Sequence, residues 1–246
     1  MKGGIYMNPE IFGWEQMVYS VIMIILTIFG VILSNKYVKT EKSKIIVLKV
    51  LASILLFTIV TNRISICLKN DPVKWTYLIP DSFCGMSSLV LALAVLVGKK
   101  DNPVLHFVWF ISLLGGVITF VYPDFIGQNP SIFYIPTISG LLHHSISIIV
   151  NIFMFMYGYI KVTYKKWYCT LFGFTCYLTV GAFLISVFGY SDAFHINSPL
   201  LSGTPLTAWF IAPIYAVVYG ITLYVFYIVN KKNVNNKKNS LEKSSK

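Results

Sequence analysis

The sequence predicts an all-α polytopic membrane protein, a bundle of seven transmembrane helices with the N-terminus outside the cell and the C-terminus in the cytoplasm. Of its 246 residues, 56% are hydrophobic and only 12% are charged, whereas an ordinary soluble domain carries roughly 25% charged residues. The apolar residues form long blocks, several of which approach the ~20 residues that cross a bilayer. Because no water satisfies backbone polar groups there, these blocks are expected to be helices.

Seven apolar blocks define the predicted spans. They are Met17–Ser34, Ile45–Thr61, Phe83–Val97, Val104–Val121, Phe133–Tyr159, Trp167–Phe188 and Thr207–Val229. The third block is short, so an earlier start near Tyr77 stays open. The fifth block is long, and we expect it to tilt or to begin in the membrane interface.

The lysine distribution orients these spans. Fifteen of the 20 basic residues lie in the loops after the first, third and fifth spans and in the C-terminal tail. The positive-inside rule places that side in the cytoplasm, so this multi-pass protein is expected in the cell membrane with an odd number of spans. The net charge of +11 then serves topology and contact with anionic membrane lipids, and no nucleic-acid partner is expected. Residues 1–230 form the predicted transmembrane domain, and residues 231–246 a disordered lysine-rich cytoplasmic tail.

Polar side chains recur at helical spacing on three spans and mark one face of each. These faces carry Thr58, Asn62 and Ser65 beside Arg63 on the second span; Asp81, Cys84 and Ser88 on the third; and Gly140, His144, Ser147 and Asn151 on the fifth. Polar faces of spanning helices turn away from lipid, so we expect them to line one shared cavity that opens outward. On the fourth span, Ser112 and Gly116 are four residues apart, which predicts a close helix contact.

These residue types suit nucleophilic catalysis. Cys84 is the candidate nucleophile, and His144 the base that takes its proton and leaves the reactive thiolate. Asp81 or Asp124 is the candidate group that orients the imidazole. The remaining candidates are assigned to substrate binding: Asn62, Arg63, Ser88, Tyr122, His143, Ser147, Asn151 and His195.

Each of these residues also has a simpler interpretation. A cysteine in a span is commonly a small packing residue, and a histidine there commonly bonds two helices together. Arg63 suits either a lipid phosphate or simple extension of its side chain to the interface. None of the four cysteines forms a CxxC pair, so no metal site or cofactor is predicted, and a disulfide between Cys67 and Cys84 stays open.

Several short motifs resemble the YwaF-like family of bacterial integral membrane proteins, to which a eukaryotic transmembrane acyltransferase is related. They run in order from about Pro80 to Tyr227: Pro80-Asp81-Ser82-Phe83-Cys84, Tyr122-Pro123-Asp124, His144-Ser145, Asn197-Ser198-Pro199 and Ala212-Pro213-Ile214-Tyr215. The resemblance implies a seven-helix fold. From the eukaryotic relative it implies acyl transfer between phospholipids, with Cys84 carrying the acyl group and His144 assisting.

The sequence departs from the family pattern at two places. Ser82 stands where the family commonly has a histidine, and Asp192 and His195 occupy the region where an asparagine-tyrosine pair is expected.

The leading functional hypothesis is a lipid acyltransferase or related lipid-modifying enzyme that acts at the outer leaflet through a Cys/His site. The alternative is a small-molecule binding protein or transporter with an outward-facing polar cavity. A receptor or immunity-type partner protein without chemistry is a third reading.

Overall fold

The computed structural model describes residues 12–123, 131–200 and 203–244, and within these ranges every regular element is helical. The backbone divides into two compact units. The first unit ends at Ile160, and the second begins at Lys161. The two units are described separately below.

Five of the seven helices belong to the first unit and two belong to the second. The first unit contains α1 (Trp14–Tyr37), α2 (Glu41–Lys69), α3 (Phe83–Leu96), α4 (Pro103–Val121) and α5 (Ile135–Met156), with a 3-10 turn at Trp75–Leu78 between α2 and α3. The second unit contains α6 (Trp167–Phe188) and α7 (Ala208–Ser244).

The seven predicted helices are confirmed in the described chain, but only six are long and apolar enough to cross a membrane. The exception is α3, whose 14 residues extend ~21 Å, less than the ~30 Å hydrocarbon layer. The earlier start near Tyr77 is therefore wrong. A 3-10 turn and Pro80 interrupt the chain there, and α3 begins at Phe83 because the Ser82 hydroxyl accepts a hydrogen bond from the Gly85 amide at 3.2 Å.

Two helices begin at the lysine-rich ends because side chains cap them. Thr40 and Ser43 form a reciprocal capping box at the start of α2. The Asn102 side chain accepts a hydrogen bond from the Leu105 amide, and Pro103 occupies the first position of α4. Lys99 and Lys100 therefore lie outside the helices, whereas Lys36 lies in the last turn of α1 and Lys42 and Lys44 lie near the start of α2.

The centre of the first unit is α5. In its most apolar window 67% of residues are buried, against 11% for α1. Hydrogen bonds attach α1 to the rest of the unit, including one of 2.8 Å between the Tyr19 and Ser145 hydroxyls and one from Gln16 to the Val121 carbonyl. The central position of α5 explains how its polar face meets several neighbouring helices.

In the second unit, α7 extends beyond the apolar segment that was predicted. Its backbone continues as a helix to Ser244, through most of the lysine-rich segment 231–246. Propagation of an existing helix costs little because nucleation has already been completed.

Candidate functional site

The predicted polar faces of α2 and α3 both meet α5. The Asn62 side-chain amide donates to the Pro136 carbonyl at 2.9 Å and to the Ser139 hydroxyl at 3.2 Å. On the next helix, the Ser88 hydroxyl lies 3.1 Å from Nδ1 of His143. These contacts bring the three predicted faces together inside the first unit.

A second set of polar contacts joins α4 to α5. The Asn151 amide donates to the Ser112 hydroxyl and to the Ser147 carbonyl, both at 2.9 Å. The Ser147 hydroxyl donates to the His144 carbonyl at 2.8 Å. All of these side chains are buried away from water. Hydrogen bonds between them therefore satisfy polar groups where α4 meets α5.

Cys84 and the backbone of His144 contact adjacent glycines of α4. A Cβ placed on Gly115 would stand 2.7 Å from the Cys84 sulfur, and a Cβ on Gly116 would stand 3.1 Å from the His144 carbonyl oxygen. The paired glycines therefore let the α4 backbone approach α3 and α5 at once. Cys84 is half-buried in the first turn of α3, and His144 is buried.

The two adjacent histidines form a ring pair. Both are buried, and their ring centroids lie 4.1 Å apart with the planes inclined by 35°. His143 is bonded to Ser88, which is one helical turn from Cys84 on α3. The contact between His143 and Ser88 thus joins the histidine pair to the helix that carries Cys84.

Arg63 and Asp81 form an ion pair at 3.2 Å. Arg63 is buried and also donates to the carbonyls of Tyr77 and Ile79, at 2.8 and 3.2 Å. These bonds connect α2 to the segment that immediately precedes Cys84. The Asp81 carboxylate, one of two candidates for orienting the imidazole, is therefore engaged by a guanidinium.

An apolar groove of about 220 Å³ adjoins Arg63. It is lined by Ile59, Val60, Arg63, Leu78, Pro80 and Leu89. Pro80 also lies close to the first turn of α3, since a Cβ on Gly85 would stand 3.2 Å from the Pro80 Cβ. The groove therefore lies beside the helix that carries Cys84.

The remaining candidates are distributed more widely. Asp124, the second candidate for orienting the imidazole, lies outside the described residues. Tyr122 is exposed at the end of α4 in the first unit. His195 belongs to the second unit, where its carbonyl accepts a 2.7 Å hydrogen bond from the Ala208 amide.

The described residues contain no group of three or more His, Cys, Asp or Glu side chains arranged to hold a metal ion. None of the four cysteines, all of which lie in the described residues, forms a disulfide, so Cys67 and Cys84 are not paired in this way.

Sequence reasoning missed two features. It identified Gly116 as a close helix contact, and the structure confirms this. It overlooked Gly115, although two adjacent glycines within a span were a signal in the sequence. It also overlooked His106, which is buried near the lysine-rich end of α4 and whose Nε2 lies 2.8 Å from Asp101 Oδ1. Asp101 shortly before the start of that helix was the available signal there.

The helices and their internal polar cluster define the class of this protein, a polytopic helical membrane protein with a cysteine and two histidines in one unit. The chain belongs to the TMEM164 family, whose family model matches residues 11–230. A search of curated proteins and a search of solved structures each find no match. Membership confirms that the chain belongs to a transmembrane protein family.

Proposed function

We propose that this protein is a membrane-embedded lipid acyltransferase in which Cys84 carries the acyl group. The observation that carries the proposal is the half-buried Cys84 thiol, which lies against Gly115 while His144 adjoins Gly116. Cys84 is also the second residue of α3. The N-terminal turn of a helix favours negative charge, and this supports the thiolate form of the nucleophile.

In the first half-reaction, a histidine accepts the thiol proton and the Cys84 sulfur attacks the ester carbonyl carbon of a phospholipid. A carbon–sulfur bond forms, the ester carbon–oxygen bond breaks, and the departing glycerol oxygen takes the proton from the imidazolium. The products are a thioester on Cys84 and a lysophospholipid. One ester becomes one thioester, so no other reactant is required.

In the second half-reaction, the hydroxyl of an acceptor lysophospholipid gives its proton to the imidazole and its oxygen attacks the thioester carbon. The carbon–oxygen bond forms and the carbon–sulfur bond breaks, and the proton returns to the sulfur. His144 is proposed as the base because its backbone adjoins the glycine pair that also contacts Cys84. His143, bonded to Ser88, is proposed to position the neighbouring ring.

The surroundings of Cys84 support a lipid substrate. The groove beside Arg63 is almost entirely apolar, and six of the described helices are long and apolar enough to cross a membrane. An acyl chain suits such a groove, and a phosphate near its Arg63 end would meet a guanidinium. By the positive-inside rule, the lysine distribution favours the outer leaflet for this end of the helices.

The test is acyl exchange by the purified full chain in liposomes. The donor is a phosphatidylcholine with an alkyne-tagged acyl chain, and the acceptor is a deuterated lysophosphatidylcholine. We expect tagged deuterated product with the wild-type protein, a loss of at least ~100-fold for Cys84→Ala, and no change for the control Cys176→Ala, which alters an exposed thiol on α6.

Exchange that survives Cys84→Ala would overturn the nucleophile. Absence of exchange in the wild-type protein, together with ligand-dependent thermal stabilisation that survives Cys84→Ser, would favour the small-molecule binding protein or transporter instead.

A further inference from the structure

A cavity lies between α6 and α7, in the second unit. It has a volume of about 490 Å³ and is lined largely by aromatic and small side chains, among them Trp167, Phe174, Tyr215, Ala216 and Gly220. A second cavity of about 480 Å³ shares Trp167 and Gly220 with it and reaches Tyr164. Together they form one groove, called here the α6/α7 groove, which contains no residue of the Cys84 site.

The small residues of α7 in this groove do not form a close helix contact. Ala212, Ala216 and Gly220 repeat every fourth residue, which ordinarily lets two helices approach closely. A Cβ placed on Gly220, however, would meet no atom within 4 Å. These small residues therefore border open space. In the wall of the groove Tyr215 stacks on Phe174, with the ring centroids 5.9 Å apart.

One buried polar side chain that lines the groove lacks a hydrogen-bond partner. Thr170 lines the groove and is only 2% exposed, and its hydroxyl makes no hydrogen bond in the structure. Thr175 and Thr179 on the same helix behave differently, because each donates to the carbonyl four residues earlier. An unmade hydrogen bond of a buried hydroxyl is costly, so the geometry favours a ligand that supplies an acceptor.

Two basic residues lie in sequence between Tyr164 and Trp167, which line one end of the groove. Lys165 and Lys166 directly precede α6, and Thr170 follows Lys166 by four residues, which is about one helical turn or ~5.4 Å. In a glycerophospholipid, the ester carbonyls lie one glycerol unit deeper in the membrane than the phosphate. The order of lysine, hydroxyl and apolar aromatic wall along α6 matches the order of phosphate, ester and acyl chain.

We propose that the α6/α7 groove binds one anionic glycerophospholipid. Its phosphate contacts Lys165 and Lys166, one ester carbonyl accepts a hydrogen bond from Thr170, and the acyl chain lies against Phe174, Tyr215 and the small residues of α7. Charge selects the anionic lipid, since lysines near a membrane attract negative headgroups. This site is distinct from Cys84 and does not depend on acyl transfer.

The test is photolabelling of the full chain in liposomes by a phosphatidylglycerol that carries a diazirine in its acyl chain. Labelled peptides are mapped by mass spectrometry, with unlabelled phosphatidylglycerol or phosphatidylcholine as competitor. We expect label on α6 and α7 peptides that phosphatidylglycerol displaces at least ten-fold better than phosphatidylcholine. Equal competition by the two lipids would overturn the proposal, and so would uniform labelling of all lipid-facing helices.

Matched variants test the position of the lipid. Gly220→Phe fills open space in the groove and should reduce labelling at least ten-fold, while Ile221→Phe, on an exposed neighbour outside the groove, should not. Thr170→Val should weaken competition by phosphatidylglycerol about five-fold, because the loss of one hydrogen bond of ~1 kcal/mol lowers the affinity by that factor. Thr179→Val, whose hydroxyl is already bonded within α6 and which does not line the groove, should leave it unchanged. Equal labelling of Gly220→Phe and Ile221→Phe, or equal competition in both threonine variants, would contradict the assigned pose.

Discussion

Gly115 lies so close to Cys84 that a single added carbon on the glycine would stand 2.7 Å from the thiol sulfur. A carbon atom this close to the sulfur would clash with it. The thiol can therefore occupy its present position only because residue 115 is a glycine. A Cβ on the neighbouring Gly116 would be tight against α5, at 2.9 Å from the Ile148 side chain and 3.1 Å from the His144 carbonyl oxygen. One pair of glycines in α4 therefore sets the separation between the proposed nucleophile and the helix that carries the proposed base.

Gly115→Ala should displace the Cys84 side chain. We expect formation of the thioester on Cys84 to fall more than ~10-fold and the free energy of unfolding to fall by ~1–3 kcal/mol, as for other overpacked sites. Acyl labelling and thermal unfolding measure the two effects. Gly220→Ala is the control, because a Cβ there meets no atom and removal of a helical glycine stabilises by up to ~1 kcal/mol. Equal labelling of the two variants would contradict the role of Gly115.

Ser88→Ala should slow catalysis with little loss of stability. The Ser88 hydroxyl is hydrogen-bonded to His143 Nδ1 and so fixes the orientation of that ring. Loss of one hydrogen bond of ~1 kcal/mol corresponds to a rate reduction of about five-fold. Rates of thioester formation check this, with Ser145→Ala as control, since Ser145 bonds Tyr19 on α1 instead. A larger effect of the control would argue that the histidine contact does not matter.

Arg63 should be required to hold the segment before α3. Its side chain bonds Asp81 and two backbone carbonyls, and Asp81 is about one-third exposed. Because the pair is partly screened by solvent, we expect Arg63→Ala to cost ~1–3 kcal/mol of unfolding free energy, below the 3–5 kcal/mol of a fully buried pair.

Arg63→Lys tests the same point more finely. Lysine keeps the charge but not the forked donors, so it should recover part of the stability and little of the acyl transfer. Full recovery of both by lysine would mean that charge alone matters at this position.

Asn62 should couple α2 to α5 through Ser139. A double-mutant cycle with Asn62→Leu and Ser139→Ala measures this coupling, because the two side chains are 3.2 Å apart. Hydrogen bonds between membrane helices average ~0.6 kcal/mol, and we expect a coupling of that size. A coupling energy of zero would show that the contact does not stabilise the helix pair.

The helices were largely predictable from sequence because each apolar block is bounded by polar or lysine-rich segments. Trp167–Phe188 has the predicted bounds, and α4 differs by one residue at its start. The start of α3 was open because hydropathy does not distinguish an extended segment near Pro80 from a helical one. The N-terminus outside and the tail in the cytoplasm stay a prediction from the lysines.

The site was predictable as a set of faces but not as a set of partners. Spacing placed Cys84 with Ser88 and His144 with Ser147, and the structure brings these helices together. Spacing does not show which side chains meet across helices, so the bonds of Asp81 to Arg63 and of Ser88 to His143 could not be derived. Glycine carries no chemistry of its own, which is why Gly115 escaped attention.

The most direct test of the account is the mass of the protein after incubation with a phosphatidylcholine in liposomes. We predict an added acyl mass on the Cys84 peptide, removed by neutral hydroxylamine as a thioester is, present in Cys176→Ala and absent in Cys84→Ala. An unmodified Cys84 peptide under conditions in which the protein binds lipid, or acyl mass that persists in Cys84→Ala, would contradict the claim that Cys84 carries the acyl group.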